Sequence, residues 1–160
     1  MKKILFTLIT LSFISLSVLA DEQKEALDFF NSYVNAANTY SATVADMYSP
    51  SAKIIRQVVK PDGTTVDVST NTATYIKQMK IGQAGAKLRH YKNNYTNVVV
   101  TEANNGAYKV SSLRQPSGED YKLKTYMIVK KQPDGKWLII EEMMQTKVQT
   151  FLRYADKQGN

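Results

Sequence analysis

Pro133-Asp134-Gly135-Lys136-Trp137-Leu138-Ile139-Ile140-Glu141-Glu142-Met143-Met144-Gln145-Thr146 is a turn followed by a strand. Proline, aspartate and glycine in succession set the turn, and an aromatic and β-branched run follows it. Just upstream, residues 121–131 place Leu123, Thr125, Met127 and Val129 opposite Lys122, Lys124, Tyr126 and Ile128, a partial period of two that predicts the antiparallel partner. Further back, Asn104-Asn105-Gly106 predicts a tight hairpin, because both central residues of such a turn need positive φ. It would join a long strand over residues 87–102, carrying Leu88, Tyr91, Tyr95, Val98, Val99 and Val100, to a return over residues 107–114. Four long strands therefore close the chain.

The first half has a different period. Ala26, Phe30, Tyr33, Ala37, Tyr40, Val44 and Met47 recur three and four apart, the stripe of one amphipathic helix. Ser49-Pro50 is the expected end of that helix, since a residue before proline is pushed out of the α region. Ile54, Ile55, Val58 and Val59 predict a strand over residues 52–60, and Pro61-Asp62-Gly63-Thr64 turns it into a short return over residues 65–68. Ser69, Thr70, Asn71 and Thr72 offer N-caps for a short helix with Tyr75, Ile76 and Met79 on its inner stripe and Gly82 as its stop. Long helix, strand pair, short helix and four strands make an α+β fold with both helices on one face of a curved antiparallel sheet.

The chain begins Met1-Lys2-Lys3, continues through the uncharged residues 4–19, and reaches Val18-Leu19-Ala20 just before Asp21. A basic start, a short apolar stretch and small residues before the cut predict a signal peptide over residues 1–20 and a periplasmic or secreted product. Sixteen uncharged residues would span roughly 24 Å as a helix, short of a hydrocarbon core of roughly 30 Å, so no stable membrane anchor is expected after cleavage. Residues 21–153 are then one domain and residues 154–160 a frayed tail. Removing Lys2 and Lys3 leaves nineteen basic against fourteen acidic side chains, a net +5. That is modest, and in an exported protein nucleic acid is not the expected partner; the basic residues, among them Arg56 and Arg114, read as solubilising and edge-protecting.

Two segments resemble the NTF2-like superfamily, the cone-shaped α+β fold shared by nuclear transport factor 2, SnoaL-type cyclases and ketosteroid isomerase. Asp46-Met47-Tyr48-Ser49-Pro50-Ser51-Ala52 is similar to the family's D-x-Y-x-x-x-A passage from first helix to first strand, and Asp134-Gly135-Lys136-Trp137-Leu138-Ile139 to its D-G-x-W-x-I start of the last strand. The resemblance covers about residues 22–146. It implies a pocket between the helices and the concave sheet, and a cofactor-free chemistry where there is any.

Strict alternation along the last strand puts Trp137, Ile139, Glu141, Met143 and Gln145 on one face. The resemblance makes that face the pocket side, with Glu141 as the candidate proton-transfer group; a carboxylate in an apolar pocket has a raised pKa and can move a proton. Tyr33, Tyr40, Trp137 and Met143 are the expected ligand-pocket residues. The alternative for Glu141 is a wet rim beside a lysine. The family's further acidic or histidine groups have no match in register.

His90, between Arg89 and Tyr91 on a predicted strand, has no partner at local spacing and reads as a surface histidine. With no cysteine and one histidine, disulfides, thiolate or multi-histidine metal sites, a cysteine nucleophile and a cysteine-linked lipid are excluded. No metal site and no cofactor are expected. Ten tyrosines are unusual, and each buried hydroxyl needs a partner.

Three functions stay open on these grounds. One is a non-catalytic domain holding a small apolar or amphipathic ligand or a protein partner; another is a cyclase or isomerase using a pocket carboxylate; the third is a part of an envelope secretion or transport system. The opposite row, Leu138, Ile140, Met144 and Thr146, would be free for a homodimer through the sheet, unless Val148, Phe151 and Leu152 fold back over it.

Overall fold

A computed structural model describes the backbone of residues 5–158 and the side chains of residues 19–153. The side chains of residues 1–18 and 154–160, and with them most of the expected leader and the whole expected tail, lie outside the described residues. The elements run α1 (Leu5–Asn38), a 3-10 helix (Ala42–Met47), β1 (Tyr48–Val59), β2 (Thr65–Thr70), α2 (Thr72–Leu88), β3 (Asn93–Ala103), β4 (Ala107–Pro116), β5 (Leu123–Lys131), β6 (Trp137–Thr146) and a 3-10 segment (Gln149–Gln158). The six strands form one sheet in the order β2-β1-β6-β5-β4-β3. Every neighbouring pair is antiparallel except β1 and β6, which run parallel. The class is α+β, as the order of periods implies.

Both helices end differently from the sequence expectation. The stripe from Ala26 to Met47 is not one helix: α1 stops at Asn38, and Ser49 and Pro50 lie inside β1. Tyr40 adopts φ 59°, its N–H donates to the Ala37 carbonyl, and the Ser41 N–H reaches back to the Ala36 carbonyl. This is a Schellman closure with a tyrosine where glycine is usual. Helix α2 runs through Gly82 to Leu88 and ends the same way, with His90 at φ 51° and the His90 and Tyr91 N–H groups donating to the Lys87 and Ala86 carbonyls. His90 is thus an exposed helix-terminal residue and not part of a strand. Asn71, by contrast, caps α2 as its residue type suggests, its side chain accepting from the Thr74 N–H.

Alternation places Tyr108, Val110, Ser112 and Arg114 of β4 on the same face as Leu123, Thr125, Met127 and Val129 of β5, and these face the helices. Ala26, Phe30 and Tyr33 of α1 meet Ile54, Tyr108, Val110, Met127, Val129 and Ile139 in the buried core. Besides a register shift in β1 between Tyr48 and Lys53, two bulges interrupt the ladders. One is at Asn97, at φ 54°, where the β3–β4 register shifts between Thr96 and Val99. The other is in β6, where Ile139 faces Val129 but Glu141 faces Ile128, so that Ile140 is an inserted residue. The hairpin at Asn105 and Gly106, at φ 62° and 66°, has the two positive angles its sequence calls for.

A non-glycine residue in the left-handed region is strained, and the exposed His90 side chain offers little in return. His90→Gly is expected to raise stability by about 1 kcal/mol in equilibrium denaturation. An unchanged or lowered midpoint would show that the α2 terminus is not strained.

Candidate functional site

The bulge at Ile140 decides what faces the helices. Beyond it the parity of β6 changes, so that Trp137 and Ile139 share the inner face with Glu142 and Met144, and not with Glu141 and Met143. Glu142 is 1% exposed and lies opposite Met127 of β5 and Ile54 of β1. One of its oxygens accepts from Arg56 Nη1 at 2.7 Å, and the other accepts from the Tyr48 hydroxyl and, at 3.4 Å, from the Tyr33 hydroxyl. Tyr75, from the first turn of α2, stacks its ring 4.7 Å from the Arg56 guanidinium carbon. Burial first, and then the Glu142 charge, push the Tyr33 and Tyr48 hydroxyls well above the ordinary tyrosine value, so both stay protonated and donate.

Each member arrives by a local rule. Tyr33 continues the α1 stripe of Ala26 and Phe30, and Tyr48 follows the 3-10 helix whose N-cap is Ser41. Arg56 is on the inward parity of β1 with Ile54 and Val58.

Beside this cluster lies a cavity of about 250 Å³ between the end of α1, the 3-10 helix, α2 and the sheet. Tyr33, Tyr40, Tyr75, Tyr91, Tyr95 and Met144 supply much of its wall, and Arg114, Asn93 and Lys80 its polar part. Arg114 is 4% exposed. Its Nη1 donates to Asn93 Oδ1 at 2.8 Å and to the Tyr91 hydroxyl at 3.4 Å, and its Nη2 donates to the Gln145 carbonyl at 2.9 Å. Its Nε has no acceptor, and neither does the buried Tyr40 hydroxyl.

Of the expected site residues, Tyr33 and Tyr40 line this cavity, and Trp137, Met143 and Glu141 do not. Glu141 faces away from the helices with Met143 and accepts from the Tyr126 hydroxyl at 2.6 Å. Trp137 sits at the other end of β6, 5.9 Å from the Tyr108 ring centre, and donates its Nε1–H to Glu25 Oε2 at 2.9 Å. The expected apolar row is split by the same bulge: Leu138 precedes it, Ile140 is the inserted residue itself, Met144 lines the cavity and Thr146 is buried. The segment after Thr146 does fold back, against β1 and β2, and brings Phe151 to a second cavity beside Arg56 and Tyr75. Glu142, Arg56 and Arg114 were not among the expected site residues. For Arg114 a signal existed, since it shares the parity of Tyr108 and Val110. Among the described residues no group of three or more histidine, aspartate or glutamate side chains converges on a metal position.

No protein-family model matches the sequence, and no curated protein matches it. Solved structures do. A protein from Novosphingobium aromaticivorans proposed to be a scytalone dehydratase superposes with a TM-score of 0.59 at 13% identity, over 81% of this chain and 86% of that one. An NTF2-like protein of unknown function from Shewanella oneidensis superposes at 0.57 and 12%, over 77% and 98%. The chain has the NTF2-like, cystatin-like fold. A yeast deubiquitinase and cofactor complex contains a chain of the same shape, at 0.55 and 18% over 76% and 93%, so the fold is shared by proteins of unlike description.

Lys131 and the Trp137 ring N–H together hold the Glu25 carboxyl below its ordinary 4.5, the Lys131 bond being the larger cause. A lowered folded-state pKa stabilises above the unfolded value and is lost as pH falls through the folded one. Trp137 is the sole tryptophan, so its fluorescence should titrate with a midpoint below 4.5, and Glu25→Gln should abolish that step. A midpoint at or above 4.5, or a step that survives the substitution, contradicts the contact.

Proposed function

We propose that this domain is a binding module that holds a small amphipathic molecule in the cavity between α1, α2 and the sheet, without converting it. The observation that carries the reading is the state of Glu142. A general base must have a lone pair directed at a substrate proton. The Glu142 oxygens are occupied by Arg56, Tyr48 and Tyr33, and Glu142 does not line the cavity. Among the described residues the cavity wall carries tyrosines, Lys80 and Arg114, and no carboxylate or histidine. Its volume, about 250 Å³, is below the roughly 300 Å³ at which drug-sized ligands begin to fit, which suits a compound of one or two rings.

The proposal includes export. Met1-Lys2-Lys3, the apolar run and Ala20 support removal of residues 1–20, with the domain acting beyond the inner membrane or outside the cell. Mass spectrometry of the protein recovered from its own host should then find Asp21 at the N-terminus; an intact Met1 would end that part of the proposal.

For the cavity, the test is a thermal-shift screen of one- and two-ring aromatic acids, alcohols and amides, with each stabilising compound recovered and analysed after overnight incubation. The expected result is one or more compounds that raise Tm and are returned unchanged. Conversion of any of them would replace the binder with an enzyme, and conversion abolished by Tyr33→Phe or Tyr48→Phe would place the chemistry at the tyrosines around Glu142. A screen with no stabilising compound would reject the cavity as a binding site.

A further inference from the structure

The inner face of the sheet carries two arginines in opposite circumstances. Arg56 has its counter-charge, the Glu142 carboxylate at 2.7 Å. Arg114 has none: the ion pairs among the described residues do not include it, and its acceptors are an amide oxygen, a phenol and a backbone carbonyl. An arginine keeps its charge at every physiological pH, and neutral acceptors compensate a buried charge only in part. Its Nε–H is left without an acceptor, and the residue lies in the wall of the cavity.

The surroundings point the same way. The buried Tyr40 hydroxyl in the same wall also lacks a partner, and Tyr40 is held there by a backbone at φ 59° that a tyrosine adopts at a cost. Lys80 of α2 adds a second positive group to the wall, and among the described residues no acidic side chain lines it. Much of the rest of the wall is aromatic and apolar, with Tyr33, Tyr75, Tyr95, Met79 and Met144, beside the neutral polar Asn38, Ser41 and Gln83. A guanidinium with free donor capacity is the group best suited to a planar oxyanion, and an aromatic wall suits a flat hydrocarbon body.

We infer that the cavity selects a small aromatic monocarboxylate, with its carboxylate against Arg114 and Tyr40 and its ring among the tyrosines. The inference rests on the binding reading above and names its ligand class. Arg114 acts as the anion anchor, Asn93, Tyr91 and the Gln145 carbonyl hold its guanidinium in place, and Arg56 takes no part because Glu142 already neutralises it.

The test uses matched acid and primary-amide pairs, such as cinnamate with cinnamamide and indole-3-acetate with indole-3-acetamide, measured by calorimetry on the mature chain. At least one acid is expected to bind tenfold or more tighter than its amide. In Arg114→Gln that ratio should fall to near one, mainly through loss of acid affinity. Because Arg114→Gln can also disturb the sheet, a second readout uses the unaltered protein. The Arg114 Nε–H signal in nitrogen-15 NMR, assigned with Arg114→Lys, should shift on adding the acid and stay in place on adding the amide. If amides bind as tightly as their acids, or the Arg114 signal ignores a bound acid, the anion anchor is wrong while the binding reading stands. If no acid and no amide binds, both fail together.

Discussion

A carboxylate buried to 1% exposure in the middle of a β-sheet needs a counter-charge and donors for its lone pairs, and the arrangement around Glu142 supplies both. Arg56 comes from β1, Tyr48 from the start of the same strand, Tyr33 from α1, and Tyr75, through its ring on Arg56, from α2. These contacts tie the parallel β1–β6 pair to both helices across the sheet. The cavity opens beside that junction, and two of its tyrosines, Tyr33 and Tyr75, are also cavity wall. Positioning of the wall therefore depends on the charge pair.

The same requirement separates two uses of polar burial in one fold. Where Glu142 meets Arg56 the charges offset each other and the hydroxyls are held as donors, an arrangement suited to fixing structure. Where Arg114 meets only neutral acceptors, a charge remains in the cavity wall. The likeness to solved structures is one of fold alone, shared by proteins of unlike description, and the chemistry of the inner face lies in Glu142 and these two arginines.

Much of the architecture was legible because period and turn chemistry report backbone geometry directly. Asn105 and Gly106 supply positive φ, Asn71 caps its helix, and Leu123 to Val129 alternate as a half-buried strand. The inner stripe of α1 correctly carries Tyr33 to the cavity. What escaped is where the backbone departs from the regular. Tyr40 and His90 close helices in a conformation that their residue types do not advertise, so one helix was read too long and the other too short. The inserted Ile140 carries no signature in sequence, yet it exchanges Glu141 for Glu142 on the inner face and Met143 for Met144. Arg114 was legible by parity and was passed over because a basic residue on a strand is more often at the surface.

The dependence of the fold on the buried charge pair is tested most directly by a double-mutant cycle on Arg56 and Glu142. Arg56→Met and Glu142→Leu each leave a buried partner without compensation and should each cost about 3–5 kcal/mol in equilibrium unfolding. The double substitution removes both charges and should cost clearly less than the sum, with a coupling of about 2 kcal/mol or more. Additive single effects, or single substitutions that leave stability unchanged, would show that Glu142 does not depend on Arg56 and is available for another role.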